Sequence, residues 1–251
     1  MSHPSYKGDI GHPFIELFTI DSTNNYAMAQ SHEGLAKHGT VYITKHQTAG
    51  KGQRNKRWDA EPGENITMSC VLEPEGPNTA WPFLLSIAVA LACRDLFEHY
   101  SQGETTIKWP NDIYWRDRKA GGILIENIYR AGDWQFAIAG TGLNINQTSF
   151  PPELPNPVSL KQVTGKEHDR ILLAKELCSR LDERYRQFLK ADTLLLEEYN
   201  QHLYKKDEVV RLKKENMIFQ ARVTGVSPAG ELIVHDSIER RFGFGEVEWI
   251  M

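Results

Sequence analysis

Four short segments carry residues whose types and spacing could handle an anion. The first is Gly50-Lys51-Gly52-Gln53-Arg54-Asn55-Lys56-Arg57-Trp58. From Lys45 to Trp58 there are five Lys or Arg and no Asp or Glu. Glycines let backbone N–H groups approach an anion closely, and the cations neutralise phosphate. A solvated basic loop, or a nucleic-acid patch, would show the same charge run. It is not a Walker A loop, because Gly-x-x-x-x-Gly-Lys-Ser/Thr occurs nowhere in the chain.

The second segment, Lys108-Trp109-Pro110-Asn111-Asp112, gathers a cation, an amide and a carboxylate where Pro110 breaks a strand. The third is Lys119-Ala120-Gly121-Gly122-Ile123-Leu124-Ile125-Glu126. Its two glycines let something pass close to a strand backbone, and Lys119 can serve as a point charge for a bound anion. A plain hairpin with an exposed lysine would read the same way. The fourth, Ala139-Gly140-Thr141-Gly142-Leu143-Asn144, lacks the third glycine of a dinucleotide fingerprint. Its backbone could instead line a pocket for a flat, neutral ligand.

The elements around these segments follow from periodicity. Phe14–Ile20 alternates as a strand, and Asp21-Ser22-Thr23-Asn24-Asn25 supplies N-cap residues for a helix through Ala29. Strands are expected at 39–45, 65–72, 105–109, 112–115, 122–129 and 134–146, with a helix over 81–100. Residues 47–64 form a polar loop long enough to suggest function. Residues 169–189 are amphipathic, with Ile171, Ala174, Leu177, Cys178, Leu181, Tyr185 and Phe188 on one face. A further helix is expected over 192–203. After Lys205-Lys206 the period changes to two, in short segments at 208–212, 219–225, 231–235 and 242–244, as in a small β-barrel. The expected fold is α+β. A main unit over 1–204 has a mixed sheet packed by helices, and a small barrel occupies 205–251.

Composition narrows the class. The chain has 251 residues, 40% hydrophobic and 25% charged, with a net charge of −4. That suits a folded globular protein and lacks a whole-chain basic footprint for nucleic acid. Cys70, Cys93 and Cys178 form no Cys-x-x-Cys pair, which argues against zinc or a disulfide framework and for a reducing cytosol. The N-terminus has no apolar run of a signal peptide. The longest apolar stretch, Phe83 to Cys93, falls short of the ~20 residues of a membrane span.

In this order the motifs resemble one family, the biotin protein ligases, along nearly the whole chain. The resemblance runs from Asp21-Ser22-Thr23-Asn24 through Gln47-Thr48-Ala49-Gly50-Lys51-Gly52 to Trp58. It continues through Lys108–Asp112, Lys119–Glu126 and Gly140–Asn144 to the C-terminal strands. It implies an SH3-like C-terminal barrel and a two-step reaction. Biotin is activated by ATP as biotinyl-5′-AMP, then transferred to a lysine of a biotin carboxyl carrier protein or similar domain. Lys119, Lys51 and Arg54 are implied as catalytic. Biotin would be bound by Ser22, Thr23, Gln47, Gly50, Lys51, Lys119, Gly122, Gly140 and Gly142. ATP would be bound by Lys51, Gln53, Arg54, Trp58, Asn111, Lys119 and Asn144. Mg²⁺ would come mainly on the ATP phosphates, with Asn111 as candidate ligand.

Two departures stand out. The family loop usually reads Gly-Arg-Gly-Arg-x-Gly, whereas here Lys51, Gln53 and Asn55 replace the two arginines and the last glycine. Only 13 residues precede Phe14, so the short form is expected, cytoplasmic, a monomer or homodimer, without sequence-specific DNA binding. A lipoate or octanoate protein ligase or transferase would share the architecture but carry a different lysine motif. A nucleic-acid-binding module would use the Lys45–Trp58 patch, against which the net charge and the lack of clustered aromatics on the barrel strands argue.

Overall fold

A computed structural model describes residues 10–75, 82–190 and 193–250. The expected first residues of two helices, Trp81 and Asp192, lie outside the described residues, as does the N-terminal segment 1–9 read for a signal. The strands are β1 (Phe14–Ile20), β2 (Val41–Gln47), β3 (Ile66–Leu72), β4 (Thr105–Lys108), β5 (Asp112–Trp115), β6 (Arg118–Arg130) and β7 (Asp133–Leu143). They form one seven-stranded sheet ordered β1-β2-β3-β7-β6-β5-β4. Only β1 and β2 run parallel; the remaining pairs are antiparallel.

The two faces of this sheet differ. One carries α2 (Pro82–Ser101) and α4 (Arg170–Leu189) over the main apolar core. Pro82 stands at the first helical position of α2, where its missing N–H costs nothing. Asp169 caps α4 through Oδ1, which accepts from Ile171 N at 2.8 Å and Leu172 N at 3.1 Å. The buried face of α4 is as expected except that Leu173 and Asp182 also lie inside, while Ile171 is only half-buried. The other sheet face carries α1 (Thr23–His32) and a small cluster of Ala27, Tyr42, Val71, Ile128 and Ile138. That cluster covers part of the face and leaves the rest to polar residues.

Short α3 (Leu160–Thr164) was not anticipated, being too short for a helical period to register. Its capping box, Ser159 with Gln162, is the signal that could have found it. After α5 (Leu194–Gln201) come β8 (Val209–Lys214), β9 (Met217–Val226), β10 (Leu232–His235), β11 (Glu239–Phe242) and β12 (Glu248–Ile250). They form an antiparallel sheet ordered β11-β10-β9-β8-β12. Its edges β11 and β12 do not pair among the described residues, so it is an open five-stranded sheet where a closed barrel was expected. The last expected strand, 242–244, lies instead at Glu239–Phe242. There Glu239, Arg240 and Arg241 are exposed and β10 pairing, not hydrophobic alternation, sets the strand.

The main apolar cluster continues into this second sheet through Leu212, Val223, Leu232 and Phe242. Trp109 Nε1 donates to Gly230 O at 2.9 Å, and Asn200 clasps Val226 N and O at 2.7 and 3.1 Å. No helix among the described residues is long and apolar enough to cross a membrane. All three cysteines are free and buried.

The close approach of β6 to β7 gives a stability test. A Cβ on Gly121 would meet Leu143 Cδ2, and Gly142 O at 2.6 Å. Gly121→Ala should therefore destabilise the fold by about 1–3 kcal/mol, the usual cost of overpacking. A lower urea midpoint with an unchanged m-value would report it.

Candidate functional site

The site grows from a row of residues that crosses five strands. The registers align Lys108 with Asp112, Asp112 with Gly122, Gly122 with Gly142 and Gly142 with Thr67. Directly paired residues share a sheet face, so charged groups flank a bare glycine floor. The next row places Ser69 opposite Gly140 and Gly140 opposite Leu124.

The floor is covered, not open. Trp58 lies against Gly142, where its indole would clash with any Cβ, and Trp58 Cζ3 is 3.6 Å from a Cβ position on Gly122. Trp58 Nε1 is buried without a hydrogen-bond partner. Beside Gly140 the space is filled by the Asn24 amide. Two of the three glycines expected to form a flat wall thus carry a side chain of this chain.

Lys119 sits beside that floor. A register irregularity between Ile113 and Tyr114 pairs Tyr114 with Lys119 and re-aims the strand. Lys119 Nζ then donates to Asp112 Oδ1 at 2.7 Å. The Lys119 backbone is clamped by Asn156 O and Val158 N at 2.9 and 2.8 Å. Asn144 is buried and ties Lys119 O and Val158 O together through Nδ2, at 3.4 and 3.1 Å. Asn144 is therefore part of the frame behind Lys119.

The basic loop is a tight hairpin. Trp58 N donates to Gly50 O at 3.0 Å and Gly52 N to Lys56 O at 2.7 Å, with a 3₁₀ turn at Gln53–Asn55. Arg54 adopts the left-handed conformation at φ 55°. A Cβ on Gly50 would run into Trp58 O, and Gln47 Nε2 at 2.6 Å. Each of three loop cations has an acidic neighbour: Lys51 with Glu126 at 3.5 Å, Arg54 with Glu248 at 4.0 Å, Arg57 with Asp59 at 3.3 Å. These groups are two-fifths or more exposed on the basic side, so each pair is weak.

Thr23 and Gln47 come together as the sequence suggested, but onto each other. Gln47 Oε1 accepts from Thr23 N at 2.7 Å and from the Thr23 hydroxyl at 3.1 Å. Ser22 is buried at the start of α1, yet its side chain makes no capping bond. Asn111 Nδ2 donates to Ile123 O at 2.6 Å. Asn111 and Gln53 both line a cavity of about 220 Å³, together with Phe83, Ile125, Gly230 and Phe244. This cavity joins the loop to the C-terminal sheet.

Lys108 is buried in an aromatic cage. Its Nζ lies 4.8, 5.8 and 5.5 Å from the ring centres of Tyr114, Tyr204 and Trp249, and donates to Tyr114 Oη at 3.1 Å. Trp249 belongs to β12, so the cage joins the two sheets. Burial pushes the Lys108 ammonium down to about 8, opposed by Asp112 and helped by Lys119 and Lys56.

Sequence reasoning gave no role to Asp112, Asn24, Ser69 or Glu126. Asp112 and Asn24 adjoin residues that were singled out. Glu126 is a lone carboxylate in an apolar strand, which is a usable signal. Ser69 had none. Among the described residues no group of three His, Cys, Asp or Glu could hold a metal. Asn111 and Asp112 are an oxygen-only pair, which suits an ion that keeps most of its shell on phosphates and water.

Comparison with known proteins places this arrangement. The chain belongs to the biotin/lipoate A/B protein ligase family, whose model matches residues 17–144. The bifunctional ligase/repressor BirA of Bacillus spizizenii is 31% identical over 232 residues, covering 90% of this chain and 70% of that protein. The biotin--[acetyl-CoA-carboxylase] ligase of Mycobacterium tuberculosis is 34% identical over 183 residues, 71% of this chain and 66% of that one. The chain spans about half, 51%, of the length of Escherichia coli BirA. In fold it is similar to biotin protein ligase from Aquifex aeolicus in complex with biotin and ATP. There the TM-score is 0.80 at 23% identity, over 94% of this chain and 97% of that one.

Lys108 makes a pH test of the junction between the sheets. Between about 8 and the ordinary lysine value of 10.5, the unfolded chain holds a proton that the folded chain has lost. Raising the pH through that window therefore favours the folded state, while below about 8 the burial cost stands in full. Lys108→Met removes the effect. Wild type should gain stability relative to this variant between about pH 7.5 and 9.5, below the range where tyrosines ionise. Urea midpoints across that range would show a constant difference if Lys108 kept an ordinary value.

Proposed function

We propose that the chain is an ATP-dependent ligase that activates biotin as biotinyl-5′-AMP and transfers it to a lysine of a biotin carrier domain. The observation that carries this reading is Lys119 paired to Asp112 at 2.7 Å beside the glycine floor, in a chain of this family. Relatives named for biotin ligation, from Mycobacterium tuberculosis and Paracoccus denitrificans, support biotin over lipoate.

In the first step a biotin carboxylate oxygen attacks the α-phosphorus of ATP and pyrophosphate leaves. In the second, the free amine of a carrier lysine attacks the acyl carbon and AMP leaves. The first step brings two anions together, so its barrier falls with positioned positive charge. Lys119 is the cation for that approach, exchanging Asp112 for the carboxylate and α-phosphate. Lys51 and Arg54 clamp phosphate in the same way, giving up Glu126 and Glu248. Gln53 and Asn111 border the phosphate path, and Asn144 holds the Lys119 backbone in place. Mg²⁺ arrives on the triphosphate, where Asn111 and Asp112 would complete its shell and the ion would neutralise phosphate charge.

The uncharged ring system of biotin takes the floor at Gly122 and Gly142, with Ser22, Thr23, Gln47 and the Gly50 backbone around its ureido group. Gly140 contributes by admitting Asn24. Trp58 lies where the ring would pack, so it shifts to admit the ring and closes over it. We also read residues 1–204 as the catalytic unit and 205–251 as a small SH3-like unit. The partner is a biotin carboxyl carrier protein or a similar domain. The setting is cytoplasmic, as a monomer or homodimer without sequence-specific DNA binding.

Pyrophosphate should exchange into ATP when biotin is present and not when lipoate replaces it. Exchange driven equally by lipoate would move the reading to the lipoate branch of the family. Lys119→Ala should lower adenylate formation by roughly 10²–10³-fold, the scale for removing one preorganised charge-stabilising group. Biotin binding without ATP should change much less, since the contact strengthens as the two anions meet. Lys119→Arg should rescue poorly, because a planar fork does not replace a compact ammonium. Single-turnover kinetics read all three.

A further inference from the structure

We propose that the cavity between β6 and the C-terminal sheet receives the side chain of the acceptor lysine, with Glu231 recognising its ammonium group; this deepens the ligase reading above and rests on it. The cavity arises from the sheet itself. β5 pairs with β6 only as far as Asp112–Gly122. Beyond that pair Asn111 takes over, accepting from Ile123 N at 3.0 Å and donating through Nδ2 to Ile123 O at 2.6 Å. On the side of β6 left open, α2 and the turn between β9 and β10 leave a cavity of about 220 Å³.

The lining selects the occupant. At about 220 Å³ the cavity is smaller than the roughly 300–1,000 Å³ of a pocket for a whole small molecule, so it suits one side chain. Phe83, Ile123, Ile125 and Phe244 offer apolar contact to an alkyl stem. Gln53, Ser86 and Asn111 are polar and uncharged. Among the described residues Glu231 is the one charged group on the wall. Arg54, next to Gln53 in the chain, does not line the cavity and faces Glu248 at 4.0 Å. A phosphate chain would meet a carboxylate and no cation here. An alkylammonium meets an opposite charge beside an apolar wall.

Glu231 is held ready for that charge. Its N–H donates to Ser227 Oγ at 3.2 Å and its backbone O accepts from Ser227 N at 2.9 Å, which fixes the turn. Its Oε2 accepts from Ser227 Oγ at 3.0 Å, while Arg241 stands 4.0 Å off and is drawn to Glu239 at 3.0 Å. A carboxylate so loosely paired takes a further cation at small cost. The wall also adjoins the reacting row, since Asn111 and Ile123 neighbour Asp112 and Gly122 in the chain, and Lys119 Nζ lies on Asp112. Glu231 attracts the ammonium as it enters. Once the ammonium gives a proton to water, the freed amine no longer needs Glu231 and moves past Asn111 to the acyl carbon. The N–C bond forms there as the acyl C–O bond breaks, AMP leaves on that oxygen, and a second proton passes to water.

The test uses the full chain with a biotin carrier domain as acceptor, and the variants Glu231→Gln and Phe244→Ala. Glutamine keeps an oxygen for Ser227, and Phe244 is exposed, so both variants should fold, as thermal unfolding will report. Transfer from preformed biotinyl-5′-AMP gives KM for the carrier, and pyrophosphate exchange gives KM for ATP. Glu231→Gln should raise KM for the carrier about tenfold, the low end for a hydrogen bond to a charged group, because Glu231 is 38% exposed. The kcat for transfer should fall much less. The gap from wild type should narrow as salt rises, which a structural fault would not do. Phe244→Ala should raise the same KM severalfold and keep the salt dependence. In folded Glu231→Gln, an unchanged KM for the carrier overturns the proposal. So does a lowered KM for ATP with the carrier KM unchanged, which would assign the cavity to the phosphate chain. Wild-type protein that exchanges no pyrophosphate with biotin present overturns the ligase reading, and this proposal with it.

Discussion

The structure depends on a close approach of backbone to side chain at the centre of the seven-stranded sheet. Gly122 and Gly142 face each other across β6 and β7, and Gly140 lies one row away. Glycine in a strand costs roughly 0.5–1 kcal/mol relative to alanine. That cost is met by the length of the pairing, since β6 and β7 match from Gly121–Leu143 to Arg130–Asp133. The return is a floor without side chains, on which Trp58 and Asn24 can lie. A Cβ on Gly142 would expel Trp58, and one on Gly140 would expel Asn24.

Charge is arranged over this floor in a matching way. The chain carries a net −4, yet five cations fall between Lys45 and Trp58, and Lys51, Arg54 and Arg57 among them each have an acid within reach. Compared with the loop pairs, Lys119–Asp112 is the less exposed, at 30% and 22%, and the more direct. The loop pairs with Glu126 and Glu248 are longer and wetter. Pairs of that kind contribute little to stability, so an incoming anion displaces them at small cost. The second sheet takes part in this, since Glu248 and the Lys108 cage both draw on β12. The loop hairpin therefore reports on both sheets at once.

Much of the site was legible because its chemistry sits in contiguous runs. Gly50–Trp58, Lys108–Asp112, Lys119–Glu126 and Gly140–Asn144 are each local, and each maps onto one loop, turn or strand end. The strand order along the chain was legible for the same reason, since periods of two and 3.6 are local properties. What the runs do to one another was not legible. The Lys119–Asp112 contact depends on a register irregularity in β5 and β6, which no period reveals. Nor could the C-terminal strands show whether they close, because closure depends on twist and on edge pairing between β11 and β12.

The residue types and their spacing by themselves determined a cationic, glycine-rich chemistry on strand ends, the separation of helical from strand segments, and the resemblance to biotin protein ligases. Only the tertiary structure decided which partner each charged group meets, and that Trp58 and Asn24 occupy the glycine floor. It alone brought Ser69 and Glu126, 45 and 102 residues from Asn24, into one hydrogen-bond chain. The physical reason is range. Propensity and periodicity act over a few residues, whereas register and burial bring together groups that share no neighbourhood in the chain.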